Sequence, residues 1–403
     1  MAEWSNALDC KSSIFMITEV QILSPGPYNS IILNMINTKL IKQNLNEVLG
    51  EEELQKLIDS NTPLVHYIGF EISGLVHLGT GISSMLKIRD LQKAGVKCNI
   101  FLADWHTWIN NKLGGDHDFI KEVSKNYFQP ALEVCAEIVG ANVKEINFIH
   151  GSDLYHNNDK YWQSVIEISK NLTLSRVLKS TSIMGRDERN SQPFAWLVYP
   201  PMQVADIFAL GVNITHSGTD QRKIHVIARE VASKLTINTL NTSEGERIKP
   251  VAIHHDLLLG LQKPPTWPLP DGNEKETVRA EMKMSKSVQG SAIFIHDSEE
   301  EIFHKVKSAF CPEKEVVFNP VLNWVEHLIL PLEGKLFIKR DDRFGGDLLI
   351  NDFEELKNLY IKGDLHPMDL KNAVAENLIV ILKPARKKFE DLRSQELISR
   401  IKK

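Results

Sequence analysis

Two lysines and two serines fall within five residues at "KMSKS", Lys283 to Ser287. Cations and hydroxyls crowded in this way can close over a triphosphate and stabilise the charge that builds as it is cleaved. In isolation such a pentapeptide is more often a solvated basic turn. A second stretch, "HLGT" at His77 to Thr80, follows an apolar run and opens a helical pattern. Backbone N–H groups at a helix start attract phosphate, Gly79 allows close approach, and His77 can donate to a phosphate oxygen. A glycine turn with a capping histidine explains "HLGT" equally well by itself. The two stretches together, in this order, favour a nucleotide.

"YPPMQVADIFALG", Tyr199 to Gly211, says more. Pro200 and Pro201 suit a first helical turn and Gly211 suits its end. Gln203 and Asp206 are three apart and point from one face, while Val204, Ile207 and Phe208 pack elsewhere. An amide and a carboxylate on so apolar a helix are costly to bury without partners. They could face solvent or cap a loop; a ligand with a hydroxyl or ammonium group explains them better. In "SGTDQRK", Ser217 to Lys223, Gly218 leaves room for a flat ring, Asp220 can accept from ribose hydroxyls, and Gln221 adds a polar group. Asp220 also suits a helix N-cap and can serve both purposes.

These residues need a scaffold. "PLVHYIGF", "CNIFLAD", "INFIHGSD" and "GVNITHSG" read as four buried strands, and helical patterns separate or follow them: "ISSMLKIRDLQKAG", "HDFIKEVSKNYFQPALEVCAEIVG" and "DQRKIHVIAREVASKL". Pro130 should kink or break the second of these helices. The alternation predicts an α/β fold, a parallel sheet with helices on both faces. "NTKLIKQNLNEVLGEEELQKLIDSN", ahead of the first strand, reads as helix. From Glu299 onward the pattern is helical, which predicts a catalytic domain over 35–298 and a mainly α-helical domain over 299–403. Within the first of these, the Pro-rich, charged stretch Leu261 to Ala280 reads as a mobile loop.

Composition narrows the class. The 403 residues are 42% hydrophobic and 25% charged, with a net charge of -5. That is a soluble globular chain without the positive coat needed to wrap duplex DNA, although a local basic face is compatible with it. Cys10, Cys98, Cys135 and Cys311 lie far apart, so reduced thiols in a cytoplasmic protein are expected, with neither a disulfide framework nor a metal site. No run reaches the length of a membrane span, and Glu3 and Asp9 do not fit a secretory signal.

Taken in order, "YIGFEISGLVHLGT", "FLADWH", "YPPMQVADI", "GTDQRKIHVIARE", "KMSKS", "RFGGDL" and "LHPMDLKNAVAE" resemble the class I aminoacyl-tRNA synthetases, specifically the archaeal and eukaryotic type of tyrosyl-tRNA synthetase. The resemblance runs from about residue 40 to the C-terminus. It implies a Rossmann-like catalytic domain and a helical anticodon-binding domain. It also implies a tyrosine–tRNA ligase that uses ATP with Mg2+ to make tyrosyl-adenylate and then transfers the tyrosyl group to tRNA-Tyr, with a homodimer as its assembly. Carried over by residue, Tyr67 and Asp206 would hold the phenol hydroxyl of L-tyrosine. Tyr199, Gln203 and Gln221 would hold its amino group, with His106 beside the ring. His77, Thr80, Lys283, Ser285 and Lys286 would handle ATP phosphates, with Gly69, Gly218 and Asp220 near adenosine and Gly79 and Met284 also in the ATP site. Arg222 and Lys223 would meet the acceptor end of the tRNA. Phe344, His366 and Asp369 would meet its anticodon, against the blander reading of Phe344 as a core aromatic.

Relatives with this turn generally have a second histidine where this chain has Thr80, which shifts charge stabilisation toward Lys283 and Lys286. The rival activities are a tryptophan–tRNA ligase and a non-catalytic synthetase-like tRNA-binding protein. Tyr67 with Asp206 argues for a phenol over an indole, and the intact "KMSKS" argues for catalysis.

The start of the chain follows no pattern of helix or strand. "LDCKSS", Leu8 to Ser13, can be back-translated as CUAGACUGUAAAUCUAGN, in which CUAGA pairs with UCUAG around CUGUAAA. That is the form of an anticodon arm, and its anticodon is GUA, which reads tyrosine codons. "EVQILSPGP", Glu19 to Pro27, can be written with UUCAAAU between GAGG and CCUC, the form of a T-arm, and it ends in CCA. Residues 1–34 are therefore expected to be a translated upstream tRNA-Tyr gene or a disordered extension, with Met35 as the native start.

Overall fold

Short apolar runs bounded by turn residues become the strands of one sheet. The computed structural model describes residues 36–184, 193–268, 282–284 and 290–402. The expected leader, Cys10, Ser285 and Lys286 lie outside these residues, as does most of the loop that begins at Leu261. The strands are β1 (Glu47–Leu49), β2 (Val65–Phe70), β3 (Lys97–Leu102), β4 (Ile146–His150), β5 (Ile214–Gly218) and β6 (Val251–His255). Their order is β1-β6-β5-β2-β3-β4. Every neighbouring pair is parallel except β1 with β6. The chain runs outward from β2 through β3 and β4, then returns to the other side for β5 and β6. The order therefore reverses between β2 and β5, where the carboxyl ends of the strands leave a crevice.

Two strands depart from the pattern reading. β1 lies in a stretch read as one helix. Asn37 caps a short helix, Thr38–Lys42, and Gly50 at φ 93° opens another, Glu51–Asp59, leaving the residues between them to pair with β6. β6 carries two histidines in five residues, so it lacks the apolar run that marks the other strands. Its histidines instead bond to other histidines and to Glu47.

Pro130 does not break its helix. The segment continues from His117–Val123 through a π turn, Ser124–Phe128, into Gln129–Val139. A widened turn before a proline removes the need for its missing N–H and relieves its clash with the preceding turn. The same device recurs at Val325–Ile329, ahead of Pro331.

After Glu299 the chain is mainly helical, with one addition the pattern did not predict. The hairpin β7 (Leu336–Ile338) and β8 (Leu348–Ile350) pairs antiparallel. A capping box, Ser298 with Glu301, starts the first helix, Glu299–Ser308. One hydrophobic core runs from Ile68 and Ile100 in the sheet through Leu132 and Ile295 to Trp324, Leu370 and Leu378. The position near 298 does not interrupt it. Polar ties reinforce the packing: Arg89 donates to the Pro331 carbonyl at 3.2 Å, and Arg400 grips Glu122 with two bonds of 2.8 Å. Cys98, Cys135 and Cys311 are free thiols. No helix among the described residues is long and apolar enough to cross a membrane.

Candidate active site

The crevice between β2 and β5 opens into a cavity of about 410 Å³, lined among others by Tyr67, Gly69, His77, Thr80, His106, Asp206, Gly218, Asp220 and Lys283. Residues separated by more than two hundred positions meet there because the strand order reverses at this point.

One end is narrow and buried. Asp206, on the helix Tyr199–Ala209, is fully shielded from solvent. Its Oδ1 accepts from the hydroxyls of Tyr155 and Tyr161, each at 3.0 Å. Its Oδ2 has no hydrogen-bond partner, and neither does His106 Nε2, which lies 3.9 Å away. Burial raises the Asp206 carboxyl to about 8, against the pull of the two tyrosine hydroxyls. Burial also lowers His106 to about 3, so its ring is neutral. Tyr67 reaches this end from β2, only 3% exposed. A Cβ on Gly69 would stand 2.5 Å from the Tyr67 hydroxyl, so the glycine two residues on makes room for that ring.

The wall beside Asp206 is polar. Tyr199 packs edge-on to His106, with centroids 4.5 Å apart, and donates to Glu71 at 2.8 Å. Asn110 donates to the same Glu71 oxygen at 2.8 Å. Gln203 donates weakly to Gln221 at 3.4 Å, and Gln221 donates to the Ile183 carbonyl at 3.1 Å. The Gln203 Oε1 is buried without a partner. Buried polar atoms are nearly always paired, so three unpaired ones around one cavity mark a place for a polar ligand. Gln203 Oε1 accepts hydrogen bonds, and so does Asp206 Oδ2 when the carboxyl is ionised, which suits a ligand that donates at both positions.

The other end is wider. A π turn, Gly79–Ser83, leads into the helix Ser84–Lys93. His77 Nδ1 accepts from the amides of Gly79 and Thr80 at 3.2 and 3.4 Å. That places the ring proton on Nε2, 3.1 Å from Thr80 Oγ1. The Thr80 hydroxyl then keeps its own proton for another acceptor. Across the cavity, Lys283 Nζ pairs with Asp220 Oδ2 at 3.0 Å. Residues 282–284 are pinned by backbone bonds, Gly260 to Met282 at 2.6 Å and Met284 to Leu258 at 2.8 Å, and Met284 is buried. Gly218 is close to Leu257 and Asp220: a Cβ at this position would stand only 2.4 Å from the leucine side chain.

Five of the residues singled out by sequence lie elsewhere. Arg222 makes a forked ion pair with Glu47 at 2.7 and 2.8 Å, and Lys223 donates to Ser182 at 2.7 Å. Phe344, at the tip of the β7–β8 hairpin, is 67% exposed, which removes the reading as a core aromatic. His366 caps the helix Pro367–Ile381, which carries Asp369 in its first turn. Arg340 joins these two segments, donating to the carbonyls of Gly346 and Asp364 at 2.8 Å each.

Pattern reading missed Glu71, Asn110, Tyr155 and Tyr161. Glu71 was in plain view, inside "YIGFEISG". Tyr155 follows the carboxyl end of β4, a position at which α/β sheets regularly carry ligand contacts.

Residues 59–383 match the model of the family "tRNA synthetases class I (W and Y)", and the chain belongs to this family of class I aminoacyl-tRNA ligases. Within it, the chain belongs with the tyrosine–tRNA ligases. Those of Pyrococcus abyssi and Thermococcus kodakarensis are 54% and 53% identical to it, over 87% of this chain and 93% of theirs. The crystal structure of tyrosyl-tRNA synthetase complexed with L-tyrosine from Pyrococcus horikoshii matches with a TM-score of 0.87 at 52% identity, covering 90% of this chain and 98% of that one. Tryptophanyl-tRNA synthetase from Aeropyrum pernix shares the fold, with a TM-score of 0.60 at 17% identity over 87% of this chain and 84% of that one.

Proposed function

We propose that this cleft activates L-tyrosine with ATP, supplied as its magnesium complex, and passes the tyrosyl group to tRNA-Tyr. The observation that carries the assignment of the narrow end is the unpartnered Asp206 Oδ2, with His106 and Tyr67 around it. A phenol hydroxyl donates one hydrogen bond and accepts another, which suits a carboxylate oxygen on one side and the Tyr67 hydroxyl on the other. Gln203 Oε1 accepts from the substrate ammonium, with Tyr199 and Gln221 completing that wall. His106 flanks the ring.

ATP lies in the wider end. Asp220 receives the ribose hydroxyls, Gly69 and Gly218 let adenosine approach, and Gly79 does the same for phosphate. His77, Thr80 and Lys283 handle the phosphates, a role Ser285 and Lys286 share by resemblance, and Met284 lines the ATP site. The tyrosine carboxylate attacks the α-phosphorus in line, the bond to the β-phosphate bridging oxygen breaks, and pyrophosphate leaves. The terminal ribose hydroxyl of the tRNA then attacks the acyl carbon, and AMP leaves. Neither step requires a covalent bond to the protein, so positioning and charge stabilisation carry the catalysis.

Arg222 and Lys223 take the acceptor end of the tRNA, while Phe344, His366 and Asp369 take its anticodon, with the exposed Phe344 ring as a stacking surface. The enzyme acts as a homodimer in the cytoplasm, an assembly testable by sedimentation.

Pyrophosphate exchange into ATP tests the central reading, with tyrosine, tryptophan and phenylalanine compared. Exchange with tyrosine alone is the expected result. Exchange with tryptophan overturns the pocket assignment, and no exchange by the folded protein overturns the activation step.

A further inference from the structure

Three histidines on adjacent strands are joined in a row. His66 on β2 meets His216 on β5, Nε2 to Nδ1, at 3.1 Å. His216 meets His255 on β6, again Nε2 to Nδ1, at 2.8 Å. His66 and His216 are buried, whereas His255 lines the cleft at its wider end. The sheet register puts His255 opposite Gly218, two residues before Asp220.

The row has a direction. A neutral imidazole carries one donor and one acceptor, so the proton on one ring decides the proton on the next. At the closed end, His66 Nδ1 is buried with no partner. A stranded N–H is the rarer and costlier defect in protein interiors, which leaves a bare lone pair on Nδ1 and the proton on Nε2. His66 therefore donates to His216, and His216 donates to His255. With Nδ1 of His255 accepting, its proton is on Nε2.

We propose that His66 and His216 are positioning residues that hold His255 as an Nε2–H donor to the nucleotide, aimed at a ribose oxygen or ring nitrogen of adenosine. The proposal rests on the assignment of the wider end of the cleft to ATP. Burial keeps all three rings neutral: His66 is lowered to about 3, His255 to about 4, and His216 well below the ordinary value. A fixed neutral donor aids ATP without adding a charge that would also attract free phosphate. It also discriminates against a ligand with a donor at the same place, because two donors would then face each other.

Long-range 1H–15N correlation of the full chain labelled with 15N-histidine reads the tautomers directly. The expected spectrum at neutral pH has bare Nδ1 and protonated Nε2 on His66, His216 and His255, each assigned by its single substitution to Phe. A protonated Nδ1 on His255, or an imidazolium, overturns the proposal without reference to catalysis. His255→Leu then tests the contact: KM for ATP should rise roughly 3–10-fold, the loss of one neutral hydrogen bond, while KM for tyrosine holds. An unchanged KM for ATP sinks the contact. His216→Gln should mix the His255 tautomers and raise KM for ATP, a spectroscopic change that a merely structural role would not produce. Tyrosine-dependent exchange by the unaltered enzyme separates a failure here from a failure of the assigned activity.

Discussion

Lys283 Nζ and Asp220 Oδ2 are 3.0 Å apart, joining the segment that begins "KMSKS" to the turn after β5. On the proposed reading, ATP needs both partners separately, Asp220 for ribose and Lys283 for phosphate. Binding therefore exchanges one ion pair for two new contacts. Asp220→Asn should raise KM for ATP roughly 10-fold, since hydrogen bonds to a charged group are about twice as strong as neutral ones. Steady-state pyrophosphate exchange at varied ATP measures it, and an equal rise in KM for tyrosine would refute the assignment.

Asp206 should make tyrosine binding depend on pH. Its carboxyl is raised to about 8 by burial, and on the proposed reading a bound phenol stabilises the ionised form. Affinity for tyrosine should therefore strengthen as pH rises through about 8 and weaken below it. For folding the sign is opposite: the native state keeps a proton that the unfolded chain has lost above its ordinary value of 3.8, so this group's contribution declines between there and about 8. Calorimetric titration with tyrosine tests the binding slope, with Asp206→Asn as the variant expected to lose it. Tyr155→Phe removes one of the two donors to Oδ1 and should move the midpoint upward.

The Thr80 hydroxyl accepts a hydrogen bond from the His77 ring and keeps its own proton to donate, so on the proposed reading it acts through a single neutral bond. Thr80→Val should slow adenylate formation only roughly 3–10-fold. Lys283→Met, which removes a charge from the phosphate end, should slow it on the order of 100-fold. Single-turnover kinetics distinguishes these effects. A Thr80→Val loss as large as that of the lysine variant would contradict the ranking.

Contacts at the far end should separate the two chemical steps. Asp369→Ala and Phe344→Ala should leave tyrosine-dependent pyrophosphate exchange unchanged and raise KM for tRNA-Tyr roughly 5–100-fold, the effect of losing a base contact worth about 1–3 kcal/mol. Reduced exchange in either variant would mean that the residue supports the fold instead.

What could be read from sequence was whatever one local period expresses. β2, β3, β4 and β5 are runs of buried residues bounded by turns, and "YPPMQVADIFALG" places its proline turn, polar pair and terminal glycine within one helix. β1 escaped because three residues are too few to show a period. β6 escaped because His254 and His255 look polar until their partners on other strands are known. The same holds for Tyr155 and Tyr161: nothing local tells two tyrosines of an aromatic-rich stretch that their hydroxyls converge on Asp206, some fifty positions later. Relations between distant residues were available only through resemblance or through the fold.

Among the described residues, one core continues from the sheet into the helices after Glu299 without a break. This packing joins the cleft to the hairpin that carries Phe344, and on the proposed reading it sets the distance between the ATP and anticodon contacts. A tRNA that engages both must match that length as well as present the right bases. A tRNA-Tyr with its anticodon arm shortened by one base pair should therefore be charged more slowly than the full-length tRNA, which aminoacylation of the two RNAs measures. On the proposed reading the protein serves as a caliper, and packing far from the proposed nucleic-acid contacts takes part in how it tells one tRNA from another.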